Sequence, residues 1–578
     1  MRWRALLLRP YAGGDALLSL LWCSCGAWPV TVFPAILPAA EVRSGLSGPV
    51  VFCPSAYQQR IFDFVRSGSG DGVVRATAGS GKTTTLVELA RLLPDDLNAV
   101  FLAFNRHSAG ELKERLPRHV RSATIHSLGN ASLMRAYPHL RGRKPEGGKL
   151  RALVRQRLQT LAEEFAAPRE VIKVTGEYLY HLTRFAMLNL TDPRDVDRVA
   201  ALGVEYNLTP PADSGLERQC HLEVRPLLRA RLDALKTHGV YDFDDMLYLP
   251  AVLNLPVEQF DFIFVDEAQD LSSLQLDLVM RVRRPGGRRL FVGDERQAIY
   301  GFAGADQDSL LRIVQRTGAT ILPLSISYRC PRSHVALASR LAPEIEAAPD
   351  AVDGRVLVIG ESEMDAYLEP GVLVLCRYTA PLVVHCLRQL KAGRPAVVRG
   401  MDIGQRLKDM VSLLFPASFR GWERRLDLYR VTEVARLTAS ASDDDDLERQ
   451  VSLRMDLINC LQAIVRSFLD DGLSRPADLA SGIGELFSDH DAAVVFSTIH
   501  KAKGLEAEVV LVLSPENMPA RYARTDLAAR GEACVQFVAL TRSKRDLIFV
   551  RQSPRESVSA ADPGLGLSFL TGQEEERE

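Results

Sequence analysis

Residues 72–85 read GVVRATAGSGKTTT, and no other stretch of the chain restricts its fold as tightly. A short apolar run feeds a loop of small residues, the loop closes on lysine and threonine, and a helix-forming stretch follows. Small residues let backbone N–H groups converge on phosphate oxygens, an approach that bulky side chains block. Ala78, Gly79, Ser80 and Gly81 form the cradle. Lys82 reaches the terminal phosphates of a nucleotide, the Thr83 hydroxyl ligates Mg²⁺, and Thr84 completes the loop. Ala76 takes the slot where the strict pattern has its first glycine. The strand before the loop and the helix after it supply the context the motif requires.

Short apolar runs recur along the chain, each followed by a helix-like stretch. DGVVRATAG, NAVFLAF, FDFIFVDE and RRLFVGD lie in the first half; GVLVLCR, PAVVRG, AVVFSTI, EVVLVLS and DLIFVR lie in the second. Continuous apolar strands alternating with helices imply parallel sheets covered on both faces. Two separate series imply an α/β fold with two doubly wound parallel-sheet cores. Residues 130–255 and 401–490 break the rhythm with helical spacing, as in GGKLRALVRQRLQTLAEEF, and read as mostly helical insertions, one per core. The first core therefore spans 48–129 and 256–318, and the second 319–400 and 491–555. The acidic run Asp443 to Asp446 reads as a solvated loop, and RVRRPGGRR as a solvated turn before a strand.

At 578 residues the chain is too long for one hydrophobic core. The formal net charge of -1 excludes a bulk positive field, so any nucleic-acid contact must come from a local groove. Nine cysteines lie scattered without a CxxC pair, which argues against a disulfide framework and a metal cluster and suits a reducing, cytoplasmic setting. Residues 1–47 begin with arginines and continue through an apolar stretch broken by Pro29, Pro34 and Pro38. They read as an extension, disordered or upstream of the true start, and no membrane span is expected. The tail at 556–578 carries the apolar patch GLGLSFL, expected to pack on the second core, and ends in a charged, disordered QEEERE.

A nucleotide hydrolase also needs carboxylates for the metal and the water. FIFVDEAQDLS ends a buried strand in two acids, an arrangement that is unfavourable unless they serve a cation. Asp266 is placed to hold Mg²⁺ and Glu267 to activate the attacking water.

VDEAQD in this position resembles superfamily 1 helicases of the UvrD/Rep type, and the remaining motifs follow in the family's order. PSAYQQRIFDFV, LAFNRHSAGEL, TIHSL, YDFDDML and VGDERQAIYGFAGA belong to the first core; SISYRCP, STIHKAKGLEAEVV and FVALTRSK belong to the second. The resemblance covers residues from about 53 to 552. It implies two RecA-like cores with ATP between them. Gln58 would read the adenine edge, Tyr328 would stack on adenine and Glu506 would hold the ribose. Gln297 would sense the γ-phosphate, with Arg329 and Arg542 reaching it from the second core. Phe104, Asn105, Thr124, His126, Tyr300, Phe302 and His500 would grip single-stranded DNA.

The chain departs from the family where Phe302 replaces tryptophan, Ala303 replaces arginine and Phe537 replaces tyrosine. Phe104 also sits one position later than the usual aromatic. The resemblance implies an ATP-dependent helicase moving 3′ to 5′ on single-stranded DNA and at single/double-strand junctions. Repair or replication proteins would be its partners, in repair or recombination. Two other readings are a translocase that strips bound proteins with little unwinding, and an ATP-gated DNA-binding scaffold. No nuclease domain is expected in the short stretch after FVALTRSKRDLIFV.

Overall fold

The computed structural model describes residues 52–166, 169–206, 208, 210–211, 213–299, 309–440, 444–488, 493–523 and 526–551. The extension at 1–47, the tail at 556–578 with its GLGLSFL patch, and Tyr300, Phe302 and Ala303 lie outside the described residues.

Six strands build the first sheet: β1 (Gly72–Ala76), β2 (Ala99–Ala103), β3 (Val120–Thr124), β4 (Phe260–Val265), β5 (Arg283–Gly293) and β6 (Thr320–Leu324). Their order is β3-β2-β4-β5-β1-β6, and every pairing is parallel. Successive residues of each strand point to opposite faces, and helices cover both. Val73, Val100, Ile263 and Phe291 enter one apolar cluster, while Val74, Phe101, Phe264 and Val292 enter the other.

A short parallel pair follows, β7 (Ile326–Ser327) with β8 (Glu346–Ala347). The second sheet comprises β9 (Arg355–Gly360), β10 (Val372–Cys376), β11 (Ala396–Val398), β12 (Val494–Thr498), β13 (Ala507–Leu513) and β14 (Ser543–Arg551). Its order is β11-β12-β10-β13-β14-β9, again wholly parallel. Two parallel-sheet cores are thus present, as the alternating apolar runs imply. Their border differs from the expected 318/319: Thr320–Leu324 pairs with β1, so the change of sheet comes after Leu324.

Both insertions are helical. The first contains Lys149–Glu164, Arg169–Leu188, Val196–Glu205 and Ser214–His238, whose apolar faces join the cluster beneath the first sheet. A buried polar knot fastens them. Arg231 donates to Asp242 and Asp245, and Lys149 Nζ lies 2.7 Å from Asp245 Oδ2. Buried charges of this kind are tolerable only when paired.

The second insertion contains Met401–Leu414, Trp422–Ser440, Asp444–Asp470 and Pro476–Leu486. Asp444 to Asp446 fall in the helix Asp444–Asp470, which corrects the loop expected there, and Asp443 lies outside the described residues. RVRRPGGRR keeps an exposed, bulged stretch at Arg284–Gly286, as expected of a solvated turn, but the strand already begins at Arg283. It runs into β5, and its arginines bind protein groups. Arg284 pairs with Asp261, Arg289 pairs with buried Asp71, and Arg288 donates to the carbonyls of Phe64, Val65 and Gly70.

Candidate nucleotide cleft and strand-binding face

A cleft of about 1240 Å³ opens between the cores. The loops after β1 and β4 form one wall, and residues 328–331 with those preceding β13 and β14 form the other.

The phosphate loop has the backbone its sequence demands. Gly79 and Gly81 lie at φ +72° and +76°, a left-handed region that other residues enter at a cost. A Cβ on Gly79 would stand 2.6 Å from Arg329 Cβ and 2.7 Å from Ser327 Oγ, so only glycine lets the second core approach so closely. Gly81 caps the helix Lys82–Leu92, whose N-terminus favours anions. Gly79, Ser80, Gly81, Lys82, Thr83 and Thr84 all line the cleft. Ala78 does not; it is buried in the apolar cluster of the second core, together with Ile299.

Asp266 and Glu267 follow β4, and Glu267 lines the cleft. Glu267 adopts φ +51°, strained for a residue with a Cβ and of the kind that gathers at functional sites. Burial and the neighbouring Glu267 charge hold Asp266 well above the usual carboxylate range. Burial opposes ionisation of Glu267 too, but Lys82 and Lys503 outweigh it and hold Glu267 below that range. Asp270 is buried beside them, and its Oδ1 has no hydrogen-bond partner among the described residues. Among the described residues no three His, Cys, Asp or Glu side chains gather round a metal site; one or two protein ligands completed by substrate phosphates, the usual setting of Mg²⁺, suit Asp266 and Thr83.

The second core faces these acids with cations. Arg329 pairs with Glu506, which also accepts from Lys544 Nζ at 2.6 Å. Arg542 is fully buried, and its Nη2 lies 3.3 Å from Gln297 Oε1 across the cleft. Burial and the nearby Arg329 lower its pKa to about 10, so it stays charged at neutral pH. Gln297 is held in turn by Asp294, with Nε2 to Oδ2 at 2.6 Å. Tyr328 is half-exposed in the cleft wall, its N–H bonded to the Gly79 carbonyl at 2.9 Å.

Gln58, expected to read the adenine edge, lies beside the phosphate loop, its Nε2 3.8 Å from where a Cβ on Gly81 would stand. It is buried, caps the helix Ala56–Ser67 through Ser55, and gives Nε2 to Thr85 Oγ1 at 2.9 Å. Phe104 and Asn105 follow β2 and line the cleft mouth; Phe104 is exposed, and Asn105 caps the helix Arg106–Arg115. Thr124 caps the helix Ile125–Ala136, which begins beside His126. Burial lowers the pKa of His126 and, more strongly, that of His500, to about 3. Both imidazoles are neutral at physiological pH.

Three residues escape a reading by motif alone. Lys503 sends Nζ across to Asp270 Oδ2 at 2.5 Å and to the Gln297 carbonyl at 2.9 Å. Lys544 braces Glu506. Phe243 is exposed although its neighbours Tyr241, Asp242 and Asp245 are buried. The available signals were a lysine just before Glu506 in HKAKGLE, and an aromatic set among acids in YDFDDML.

A phosphate loop, a strained acid pair and opposing arginines between two parallel sheets define a two-core P-loop nucleotide-binding protein. The UvrD/REP helicase N-terminal domain matches residues 58–317, and the UvrD-like helicase C-terminal domain matches 405–553. The chain belongs to the UvrD/Rep family of superfamily 1 helicases. It is 22% identical over 518 residues to F-box DNA helicase protein 1 of Schizosaccharomyces pombe, covering 82% of this chain and 55% of that protein. It is 26% identical over 274 residues to the ATP-dependent DNA helicase PcrA of Leuconostoc citreum, covering 43% and 33% of the two chains. Against the ATP-dependent DNA helicase Rep of Escherichia coli it is 26% identical over 301 residues, covering 47% and 40%. The chain thus spans about half the length, or less, of these relatives. Among the described residues no helix is long and apolar enough to cross a membrane.

Proposed function

We propose that the protein is an ATP-dependent DNA helicase, moving 3′ to 5′ along single-stranded DNA and engaging single/double-strand junctions. One observation carries this reading: the phosphate loop and Glu267 of the first core meet two arginines and two lysines of the second in a single cleft. A nucleotide there touches both cores, so its binding and hydrolysis close and reopen them.

Lys82 and the backbone N–H groups around it hold the β- and γ-phosphates. Thr83 and Asp266 would hold Mg²⁺, which when bound neutralises phosphate charge. Glu267, kept ionised by Lys82 and Lys503, takes the proton of the attacking water. Arg329 leaves Glu506 for the γ-phosphate as the ribose claims that carboxylate, and Arg542 approaches from beside Gln297. Arginines in this role are worth ~10³–10⁵ in rate. Tyr328 stacks on the adenine.

Phe104, Asn105, Thr124, His126, Tyr300, Phe302 and His500 form the strand grip, to which we add Phe243. Aromatic faces hold bases at ~1–3 kcal/mol each without reading sequence. A duplex step holds ~1.4 kcal/mol of stacking, little enough for one hydrolysis cycle to overcome. A role in repair or recombination, with repair or replication proteins as partners, belongs to the same proposal and rests on the family.

The test is phosphate release with and without single-stranded DNA, using Lys82→Ala as blank, followed by unwinding of duplexes with a 3′ or a 5′ tail. Stimulated release with unwinding from the 3′ tail supports the proposal. Stimulation without unwinding leaves a translocase, and turnover indifferent to DNA overturns the motor reading.

A further inference from the structure

We infer that Lys544 is a positioning residue for the reaction: it keeps the Glu506 carboxylate paired when Arg329 is drawn away to the γ-phosphate. The inference rests on the reading above, in which Arg329 acts on that phosphate and Glu506 on the ribose.

Arg329, Glu506 and Lys544 all line the second core's side of the cleft. Glu506 stands immediately before β13, and Lys544 is the second residue of β14. The two strands pair from Ala507 and Ser543 onward, and Ala507 N–H donates to the Arg542 carbonyl at 3.1 Å. The backbones beneath Glu506 and Lys544 are therefore fixed to one another. Arg329 comes from another stretch, two residues beyond β7, and reaches Glu506 by its side chain.

A carboxylate offers two oxygens and no donor. Here each oxygen has its own cation: Arg329 donates from Nη2 to Oε2, and Lys544 Nζ lies 2.6 Å from Oε1. Burial opposes ionisation of Glu506, but Arg329 and Lys544 outweigh it and hold its pKa below the usual carboxylate range. Arg329 also touches the Thr541 carbonyl, at a longer 3.4 Å, so Glu506 is its main anchor.

The Glu506 and Lys544 side chains are 35% and 39% exposed in the open cleft, where such a pair adds little stability. Its value comes as nucleotide fills the cleft and excludes water. Taking the sole cation from a carboxylate there is strongly unfavourable. Lys544 supplies a second one, on a strand paired along both edges, so Arg329 can leave while Glu506 stays charged and aimed.

The test is DNA-stimulated phosphate release by the full chain, with kcat and KM for ATP separated and the thermal midpoint taken for each variant. Lys544→Met should lower kcat roughly 10-fold, change KM far less and leave the midpoint in place. Lys544→Arg should keep most of the rate. Glu506→Gln added to Lys544→Met should recover kcat although KM rises, because an amide no longer detains Arg329. An unaltered kcat in Lys544→Met overturns the inference. So does a loss that Glu506→Gln fails to relieve, or one matched by a fall in midpoint.

Arg329→Ala, followed in single turnovers, separates the two levels. On that background Lys544→Met should have no further effect. A further loss of the same size would make Lys544 a direct ligand of the nucleotide and overturn the inference. If Arg329→Ala slows hydrolysis and Lys544→Met does not, the role of Arg329 stands and only that of Lys544 fails. If Arg329→Ala changes nothing, the reading beneath both fails as well.

Discussion

The Lys503 ammonium of the second core lies 2.5 Å from the Asp270 carboxylate of the first, and the same nitrogen donates to the Gln297 carbonyl. One side chain therefore ties the acid cluster, Gln297 and the second core together. Lys503→Met would leave Asp270 buried and unpaired, an effect of about 3–5 kcal/mol for such a break. The expected outcome is a lowered thermal midpoint and reduced turnover, both partly restored by adding Asp270→Asn. Additive losses in the double mutant would mean that the two residues act independently.

Arg329 and Arg542 line the cleft from one core and Lys82 from the other, and in the proposed mechanism all three engage the phosphates. Each arginine changed to alanine should lower kcat by ~10³-fold or more. Nucleotide binding, read with a fluorescent ATP analogue, should weaken far less, because charge on the transferring phosphate peaks in the transition state. Comparable losses in binding and turnover would make them ground-state contacts only.

Glu267→Gln preserves shape and removes the carboxylate proposed as the base. We expect a chain that binds ATP and single-stranded DNA but releases phosphate at least 10²-fold more slowly. Rapid phosphate release by this variant would move the water-activating role elsewhere.

Phe243 and Phe104 present exposed rings on the first core. Phe243→Ala should weaken binding to single-stranded DNA by ~1–3 kcal/mol, with little change in salt dependence, since stacking displaces no counterions. Fluorescence anisotropy across a salt series checks both statements. A change in slope without a change in intercept would point to a phosphate contact.

His500 provides a test by pH. Burial, with Arg377 and Lys501 nearby, depresses its pKa to about 3, against roughly 6.5 in an unfolded chain. Its contribution to stability is complete above pH 6.5 and is lost as pH falls, because the unfolded chain then binds the proton that the folded chain refuses. Between pH 6.5 and 5 the loss should approach ~1–2 kcal/mol, and His500→Gln should flatten that part of the profile.

Much of this architecture is legible in the sequence because local chemistry dictates it. The apolar runs could only be strands buried on both faces, and GSGKT could only be a loop with glycines at positive φ. Lys503 was not legible as a bridge, since its partner Asp270 lies 233 residues away in the chain. Gln58 reads as an adenine contact by motif, yet the fold also uses its amide as half of a capping box. The border between cores was misplaced for a related reason. Thr320–Leu324 is a short edge strand with three of its five residues exposed, and only its pairing with β1 reveals which sheet it completes.

That border has a mechanical consequence. Ser325 alone separates the last strand of the first sheet from β7, and Tyr328 and Arg329 follow within a few residues. If the two sheets swing about this joint, the arc swept by any residue grows with its distance from the pivot. Tyr328, close to the axle, would shift less than the groups of the second core that lie farther from it. The base could then stay seated through a cycle in which everything beyond it is in motion.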